Sequence, residues 1–328
     1  MPNRFGNSVV LNMESIDNVR VIADHLDRRE RQPEEPVALK AMPVVISKSE
    51  AYPAAAVHGI GRVSYGVDAQ GATRLRDLYQ HDPVRVLFPT PPRNEIPSAV
   101  FVTTSGGLVG GDVLEIAAQA DRDATVLCYP QAAEKIYRSN GAECYIKVSL
   151  LAKPGAWLEW LPQETILFDG ARLVRRTEVE VAPGGRLMAG EMLVLGRGAM
   201  GETVQSGLLR DDWEIRRDGR LVWAESFCLD AAIAETMAHP AGLGGATAIA
   251  TAIYVAEDAG EFLSTARDLL KSIPDNVRAG ATVVNGILVT RFLAAESYPL
   301  RRAFGDFWLG FRRAAAALPA ALPRLWHI

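Results

Sequence analysis

The chain has 328 residues, of which 48% are hydrophobic and 23% charged, with a formal net charge of -4. This length allows one large or two ordinary domains with a substantial core. Because no basic stripe stands out, the composition argues against nucleic-acid binding. The cysteines, Cys128, Cys144 and Cys228, are widely spaced and odd in number. They therefore predict a cytoplasmic protein without a disulfide framework.

The N-terminal residues show no charged segment followed by an apolar core, so we expect no secretory signal. Residues 1–50 mix both charge signs with several prolines and few aromatic residues. This composition is typical of a mobile N-terminal extension. The remaining residues, 51–328, are expected to form a β-rich domain.

The segment Gly106–Asp112, GGLVGGD, is rich in glycine and precedes an apolar run. A phosphate-binding P-loop requires Lys-Ser or Lys-Thr after its last glycine, whereas Asp112 and Val113 follow Gly111. A dinucleotide-binding loop requires a following helix, whereas DVLEIAAQA is typical of a strand. We therefore predict a tight turn at the start of a strand, with no phosphate site.

Alternating strands dominate the segment from Tyr145 to Arg197. The turn pairs Pro154-Gly155, Asp169-Gly170 and Pro183-Gly184 separate them, with glycines at intervals of 15 and 14 residues. Near-even spacing without intervening helices predicts layered β-sheets rather than a βαβ fold. A sandwich would show similar spacing, so the spacing does not distinguish it from a coiled arrangement.

Two acidic residues fall on apolar strand faces. Glu191 alternates with aliphatic residues, and Glu159 lies between Trp157 and Leu161. An ionised group on an apolar face is costly unless it is paired or faces a wet cavity. The pattern thus leaves two interpretations open. These acids form buried salt bridges to Arg175, Arg186 or Arg197, or they line an internal polar passage.

The later part of the chain predicts a buried strand and two helices. The uncharged stretch Pro240–Ala256 is too short for a bilayer span and is rich in Gly and Thr. Apolar residues recur at helical spacing near 258–273 and 297–317, and Ser297 is a suitable cap for the second helix. The stripe Phe304, Phe307 and Phe311 predicts core packing, although so wide an aromatic face is also suited to a partner contact.

Conventional catalytic and zinc motifs are missing from the sequence. The five histidines show no HxH or HxxxH spacing, and no CxxC or GxSxG occurs. Ser105 and Cys128 have no identifiable base nearby in sequence. We therefore expect no conventional hydrolase chemistry.

Six motifs occur in a fixed order along the chain. They are GGLVGGD (106–112), QAAEKIYRS (131–139), WLPQETILFDGARL (160–173), EMLVLGRGAMGE (191–202), WEIRRDGRLVWAE (213–225) and PRLW (323–326). Together they resemble the urease accessory protein UreD family, called UreH in some systems. The resemblance covers roughly residues 55 to 328, and WLPQETILFDGARL is its most specific part.

The resemblance implies a mainly β fold of coiled, β-helix-like layered sheets with a small C-terminal helical portion. It implies a non-enzymatic scaffold and nickel conduit for urease maturation. Such a protein binds apo-urease and UreF, and through UreF the GTPase UreG, so that nickel reaches the urease active site. It has no tightly bound cofactor, since nickel is only in transit, and it is not expected to bind a membrane. A dimer of the accessory complex is compatible with the resemblance.

Nickel in transit requires ligands that exchange quickly, and carboxylate oxygens bind it more weakly than cysteine or clustered histidine. The resemblance and the acidic residues therefore predict metal contacts, in decreasing order of expectation, at Glu164, Asp169, Glu191, Glu159 and Asp112. For Asp169 the alternative is an ordinary Asp-Gly turn. Arg138, Arg172 and Arg197 are expected to hold loops through hydrogen bonds.

A second hypothesis is a β-rich carbohydrate-binding module or glycosidase that uses paired acids. Trp157, Trp160, Trp213 and Trp223 would then stack on sugars. Each of these residues lies in an alternating strand, however, which favours core packing.

Overall fold

A computed structural model describes residues 57–230 and 232–327. The fold is mainly β, with 49% strand and 15% helix, and it has a β-solenoid-like layered arrangement with a C-terminal helix. The predicted fold class is therefore confirmed. The expectation of a mobile extension over residues 1–50 lies outside the described residues.

The strands are named here in chain order. They are β1 (His58–Val67), β2 (Thr73–His81), β3 (Val84–Leu87), β4 (Ser98–Thr103), β5 (Val113–Ala120), β6 (Thr125–Pro130), β7 (Glu134–Ile136), β8 (Cys144–Ala152), β9 (Trp157–Trp160), β10 (Glu164–Leu167), β11 (Arg172–Val181), β12 (Arg186–Leu195), β13 (Leu208–Arg217), β14 (Arg220–Asp230), β15 (Ala248–Val255), β16 (Val277–Val284) and β17 (Ile287–Ala294). The helices are α1 (Ile233–Ala238), α2 (Leu263–Leu270) and α3 (Ser297–Ala316), with short 3-10 turns at Gly198–Met200 and Arg324–His327.

The strands form two sheets that face each other. The first sheet has the order β14-β13-β11-β8-β5-β1-β2, and the second has the order β16-β17-β15-β12-β9-β6-β4-β3, with β10 beside β12 and β7 beside β10. From β5 to β13 the chain passes repeatedly from one sheet to the other, and these strands pair in parallel within each sheet. This repeated passage produces the coiled arrangement.

Glycines make the turns between the two sheets. Gly155, Gly170 and Gly184 adopt φ of 73°, 76° and 72°, the left-handed region that glycine enters without a steric penalty. They separate β8 from β9, β10 from β11, and β11 from β12. The turn signals of the sequence therefore mark the corners of the coil.

Two apolar clusters form the core, one between the sheets and one between the second sheet and the helices. β12 serves both clusters, because Leu193 faces the first and Met192 the second. The predicted strand within 240–256 is confirmed as β15, which is buried along almost its whole length. None of the helices in the described part of the chain combines the length and apolar composition that crossing a bilayer requires.

Helix α3 packs its aromatic stripe into the second cluster. Phe304, Phe307 and Phe311 are at most 3% exposed, which confirms the core interpretation and leaves no aromatic face for a partner. The prediction of Ser297 as the cap was wrong. Glu296 precedes the helix with extended backbone and no side-chain cap bond, and Ser297 is already helical.

The second sheet is interrupted beside β12. β9 pairs with β12 up to Trp160–Ala189, and β10 resumes at Glu164–Met192. The strands next to them, β6 and β7, are separated in the same way. Residues 131–133 and 161–163 thus form adjacent interruptions, which we call the break. Gly190 and Glu191 lie opposite it on β12.

Candidate functional site

A cavity of about 80 Å³ lies between the two sheets at the break. Because roughly 10–15 Å³ of such space admits one water, the cavity has room for several. Its wall combines apolar side chains of the intersheet core with seven that carry polar groups. The polar-bearing residues are Thr103, Glu134, Gln163, Thr165, Arg175, Thr177 and Glu191. The interior of the fold therefore contains a polar space.

Arg175 and Glu191 of this wall form a buried charged group with Asp211 of β13. Strand alternation directs Arg175 of β11 inward, and Asp211 is its register partner on β13. The guanidinium binds Asp211 in a bidentate manner, with N–O distances of 2.7 Å from Nε and from Nη2. Nη2 also donates to Glu191 at 2.5 Å, and Nη1 donates to Thr165 at 3.1 Å.

Glu191 and Asp211 are both buried, and both bind the guanidinium of Arg175. Burial, together with the charge of Asp211, raises the pKa of Glu191 well above its ordinary value. Burial opposes ionisation of Asp211 as well, but Arg175 and a hydrogen bond from Glu191 hold the pKa of Asp211 below its ordinary value. Glu191 thus keeps its proton to higher pH than Asp211 does, and Trp213 Nε1 donates to Glu191 at 3.0 Å.

This arrangement predicts a pH-dependent stability. Because folding raises the pKa of Glu191, its contribution is present at acid pH. That contribution is lost as pH rises from 4.5, the ordinary pKa of the group, through the raised pKa of Glu191 in the folded protein. Glu191→Gln should therefore flatten the decline in the free energy of unfolding above pH 4.5, measured by urea titration at a series of pH values. An unchanged slope would contradict a protonated Glu191.

Glu134 is the other acid of the cavity wall, at the start of β7. Burial raises the pKa of its carboxyl, against the opposing effect of a hydrogen bond with Thr103. While the cavity contains no cation, the ionised forms of Glu134 and Glu191 in its wall are therefore disfavoured. A divalent ion would favour the ionised carboxylates.

Glu159, a predicted metal contact, lies on the opposite face of the second sheet, in the helix-side layer. Its carboxylate accepts hydrogen bonds from Trp157 at 2.8 Å, from Trp308 at 2.9 Å and from Arg312 at 3.1 Å. Arg312 also binds Glu95. The salt bridge expected for Glu159 therefore exists, with Arg312 rather than with Arg175, Arg186 or Arg197. For Glu191 the expected bridge to Arg175 is confirmed.

Glu164 and Asp169, the first two predicted metal contacts, are held by other contacts. Glu164 begins β10 and forms an ion pair with Arg301 of α3. Asp169 pairs with Arg138 at 2.6 Å, and its other oxygen accepts from the backbone of Gln205 at 2.9 Å. Asp169 thus joins two loops, and it stands in a turn with Gly170, whose φ is 76°, as the alternative interpretation predicts.

The GGLVGGD segment forms a tight loop that leads directly into β5, as predicted. Gly106, Gly107 and Gly111 have φ of 77°, 140° and 96°. Asp112 is 3% exposed; one of its oxygens accepts from the Val109 amide at 2.9 Å. The other, Oδ1, has no hydrogen-bond partner among the described residues. An unpartnered buried carboxylate oxygen is costly, which makes it available to a cation or a water.

The motif loops meet at one end of the coil. The backbone amide of Leu108 in GGLVGGD donates to the carbonyl of Lys135, in the middle of QAAEKIYRS, at 2.8 Å. The predicted loop-holding arginines form ion pairs there, Arg138 with Asp169, Arg172 with Glu143 and Arg197 with Glu202. These contacts bring together loops from four of the six motifs, GGLVGGD, QAAEKIYRS, WLPQETILFDGARL and EMLVLGRGAMGE.

The structure distributes the predicted metal contacts rather than collecting them. Glu191 alone of the five lines the cavity. In residues 57–230 and 232–327, no three His, Cys, Asp or Glu side chains are placed to hold one metal ion together. Any contact with nickel would therefore use fewer protein ligands and water, and the predicted metal roles stay predictions.

Sequence reasoning missed Asp211 and Glu134. Strand alternation in RLVRRTEVEV sets Arg175 on the same face as Thr177, Val179 and Val181, and an arginine on an apolar face signals a buried acidic partner. Nothing local to β13 identifies Asp211 as that partner, because parallel register decides it. Of the tryptophans in the carbohydrate hypothesis, Trp157, Trp160 and Trp213 are at most 7% exposed, whereas Trp223 is only partly buried.

Comparisons with known proteins agree with this architecture. The family model described as UreD urease accessory protein matches residues 58–327. Urease accessory protein UreD of Magnetococcus marinus is 44% identical over 282 residues, which cover 85% of this chain and 97% of that protein. Urease accessory protein UreD 2 of Methylorubrum populi is 44% identical over 262 residues, 80% of this chain and 86% of that protein. The UreD of Methylobacterium sp. strain 4-46 is 45% identical over 272 residues, 81% and 94% respectively.

These matches define the class as urease accessory proteins, which act in the maturation of urease. The chain belongs to the UreD family. This membership supports a role in urease maturation and, more generally, interaction with the components of that process.

Proposed function

We propose that the protein is a non-catalytic scaffold that binds apo-urease and UreF, with UreG joining through UreF, and conveys nickel toward the urease active site. The observation that carries the conduit is the polar cavity between the sheets at the break. Family membership supports the scaffold independently. The predicted cytoplasmic location belongs to the same proposal.

The chemistry of the cavity wall suits a cation that must leave again. Burial raises the pKa of Glu191 and of Glu134, because it disfavours the ionised form of each carboxyl group. A divalent ion surrounded by water and by oxygens of Thr103, Thr165 and Gln163 would exchange faster than one held by thiolates or imidazoles.

The scaffold is tested by assembly and by genetics. The tagged full chain should co-purify with UreF and with apo-urease, and UreG should join only when UreF is present. A strain that lacks the protein should accumulate urease without nickel. Tyr298→Ala, an exposed change on α3, serves as a control that should leave assembly intact. Normal urease activity in the deletion strain, together with failure to bind either partner, would end the proposal.

A further inference from the structure

The break in the second sheet is covered from the helix side by the C-terminal turn, Arg324–His327. Gln163 belongs to the break and lines the cavity, and its side-chain Nε2 donates to the backbone carbonyl of Leu325 at 3.3 Å. One residue thus contacts both the cavity and the turn. The turn and the cavity are separated by a single layer of chain.

The same layering holds at Gly190, across the break. Its backbone lines the cavity, and a Cβ added there would lie 2.9 Å from the ring of Phe304. The Trp326 ring stacks on Phe304, with ring centroids 6.2 Å apart. From the cavity outward, the successive layers are therefore Gly190, Phe304 and Trp326.

Few contacts hold the turn in this place. Trp326 is its buried side chain, whereas Arg324 and His327 are exposed. Arg301 donates to the Trp326 carbonyl, and its guanidinium carbon lies 4.4 Å from the centre of the Trp326 ring. The turn pairs with no strand in the described residues. A short segment outside the sheet ladders, attached by the Trp326 ring, the packing of Leu325 and two carbonyl contacts, opens more readily than the sheet beneath it.

We propose that the turn Arg324–His327 is a detachable cover of the break, and that its displacement opens the cavity through the second sheet. Arg301 connects the cover to Glu164, so a partner that binds this ion pair would also loosen the turn. The inference rests on the proposed function in one respect, since it identifies where an ion would enter or leave. Whether displacement of the turn makes the cavity accessible can be measured in this protein without urease.

The test measures thiol access in the full-length protein. Thr177→Cys places a thiol in the cavity wall, and Cys228→Ser removes the exposed native thiol. Modification by methyl methanethiosulfonate is followed at each cysteine by peptide mass spectrometry. Cys128, which is fully buried and does not line the cavity, reports general opening of the fold.

Trp326→Ala in this background should accelerate modification at position 177 by ten-fold or more and leave Cys128 unchanged. Gln163→Leu, which removes one carbonyl contact, should give a several-fold increase. Tyr298→Ala is the matched aromatic control and should give none. The proposal is overturned if position 177 reacts equally fast with and without Trp326, or if Cys128 accelerates in parallel. If access increases but urease still matures without this protein, the cover stands and the proposed function fails.

Discussion

Arg175→Leu is expected to lower the free energy of unfolding by about 3–5 kcal/mol, since removal of one partner leaves buried charge uncompensated. Asp211 is 1% exposed, and its ionised form depends on the guanidinium that binds it in a bidentate manner. Without Arg175, Asp211 must either take up a proton or remain as an unpaired buried anion. Urea unfolding followed by circular dichroism measures the loss.

Two variants make this prediction specific. Arg210→Leu removes an exposed arginine from β13 that pairs with Asp212, and it should cost at most about 1 kcal/mol. The triple change Arg175→Met, Asp211→Leu and Glu191→Leu removes the whole charged group and should recover most of the stability. A loss from Arg175→Leu no greater than that from Arg210→Leu would show that Asp211 does not depend on the buried pair.

Arg312→Leu is the second large effect, and it should also cost about 3–5 kcal/mol. Arg312 is 1% exposed and lies between Glu159 and Glu95, and it donates to the backbone carbonyl of Pro319 at 2.7 Å. Its removal leaves Glu159 buried with two tryptophan donors but no cation. The change also frees the segment after α3.

The measurement for this variant combines urea unfolding with amide hydrogen exchange. Exchange should accelerate after α3, because Pro319 and Ala321 both lose a donor. Arg313→Leu, at the exposed neighbouring position of α3, is the matched control and should change neither quantity appreciably. Unchanged exchange near Pro319 in Arg312→Leu would contradict the role of Arg312 as a connection between the sheet and the C-terminal segment.

The fold could be predicted from the sequence where local patterns decide it. Alternation fixes which side chains of β11 point inward, and the Asp169-Gly170 and Pro183-Gly184 pairs mark corners because only glycine adopts their backbone at low cost. The choice between a sandwich and a coil was out of reach, since both give the same spacing. It depends on which strands become neighbours, and parallel pairing over long separations leaves no local signal.

The site could be predicted only in part. The apolar residues that share the strand face with Glu191 indicated a charged partner or a wet cavity. The structure shows both, in Arg175 and the adjacent polar cavity. The same reasoning applied to Glu159 found a partner on the other side of the sheet, because strand parity alone does not say which face borders which layer. The break was not foreseen, since it requires two interruptions in neighbouring strands to coincide.

In the proposed function, metal crosses the molecule through the cavity between the sheets. Thr177→Leu tests it, because Thr177 lines the cavity and the larger apolar side chain would fill the space and displace water. Thr282→Leu, the same change at an exposed position of β16, is the control. The deletion strain is complemented with each variant, and urease is purified and analysed for nickel by mass spectrometry. We expect several-fold less nickel per urease with Thr177→Leu than with Thr282→Leu, although both variants still co-purify with UreF. Full nickel loading with Thr177→Leu would contradict it.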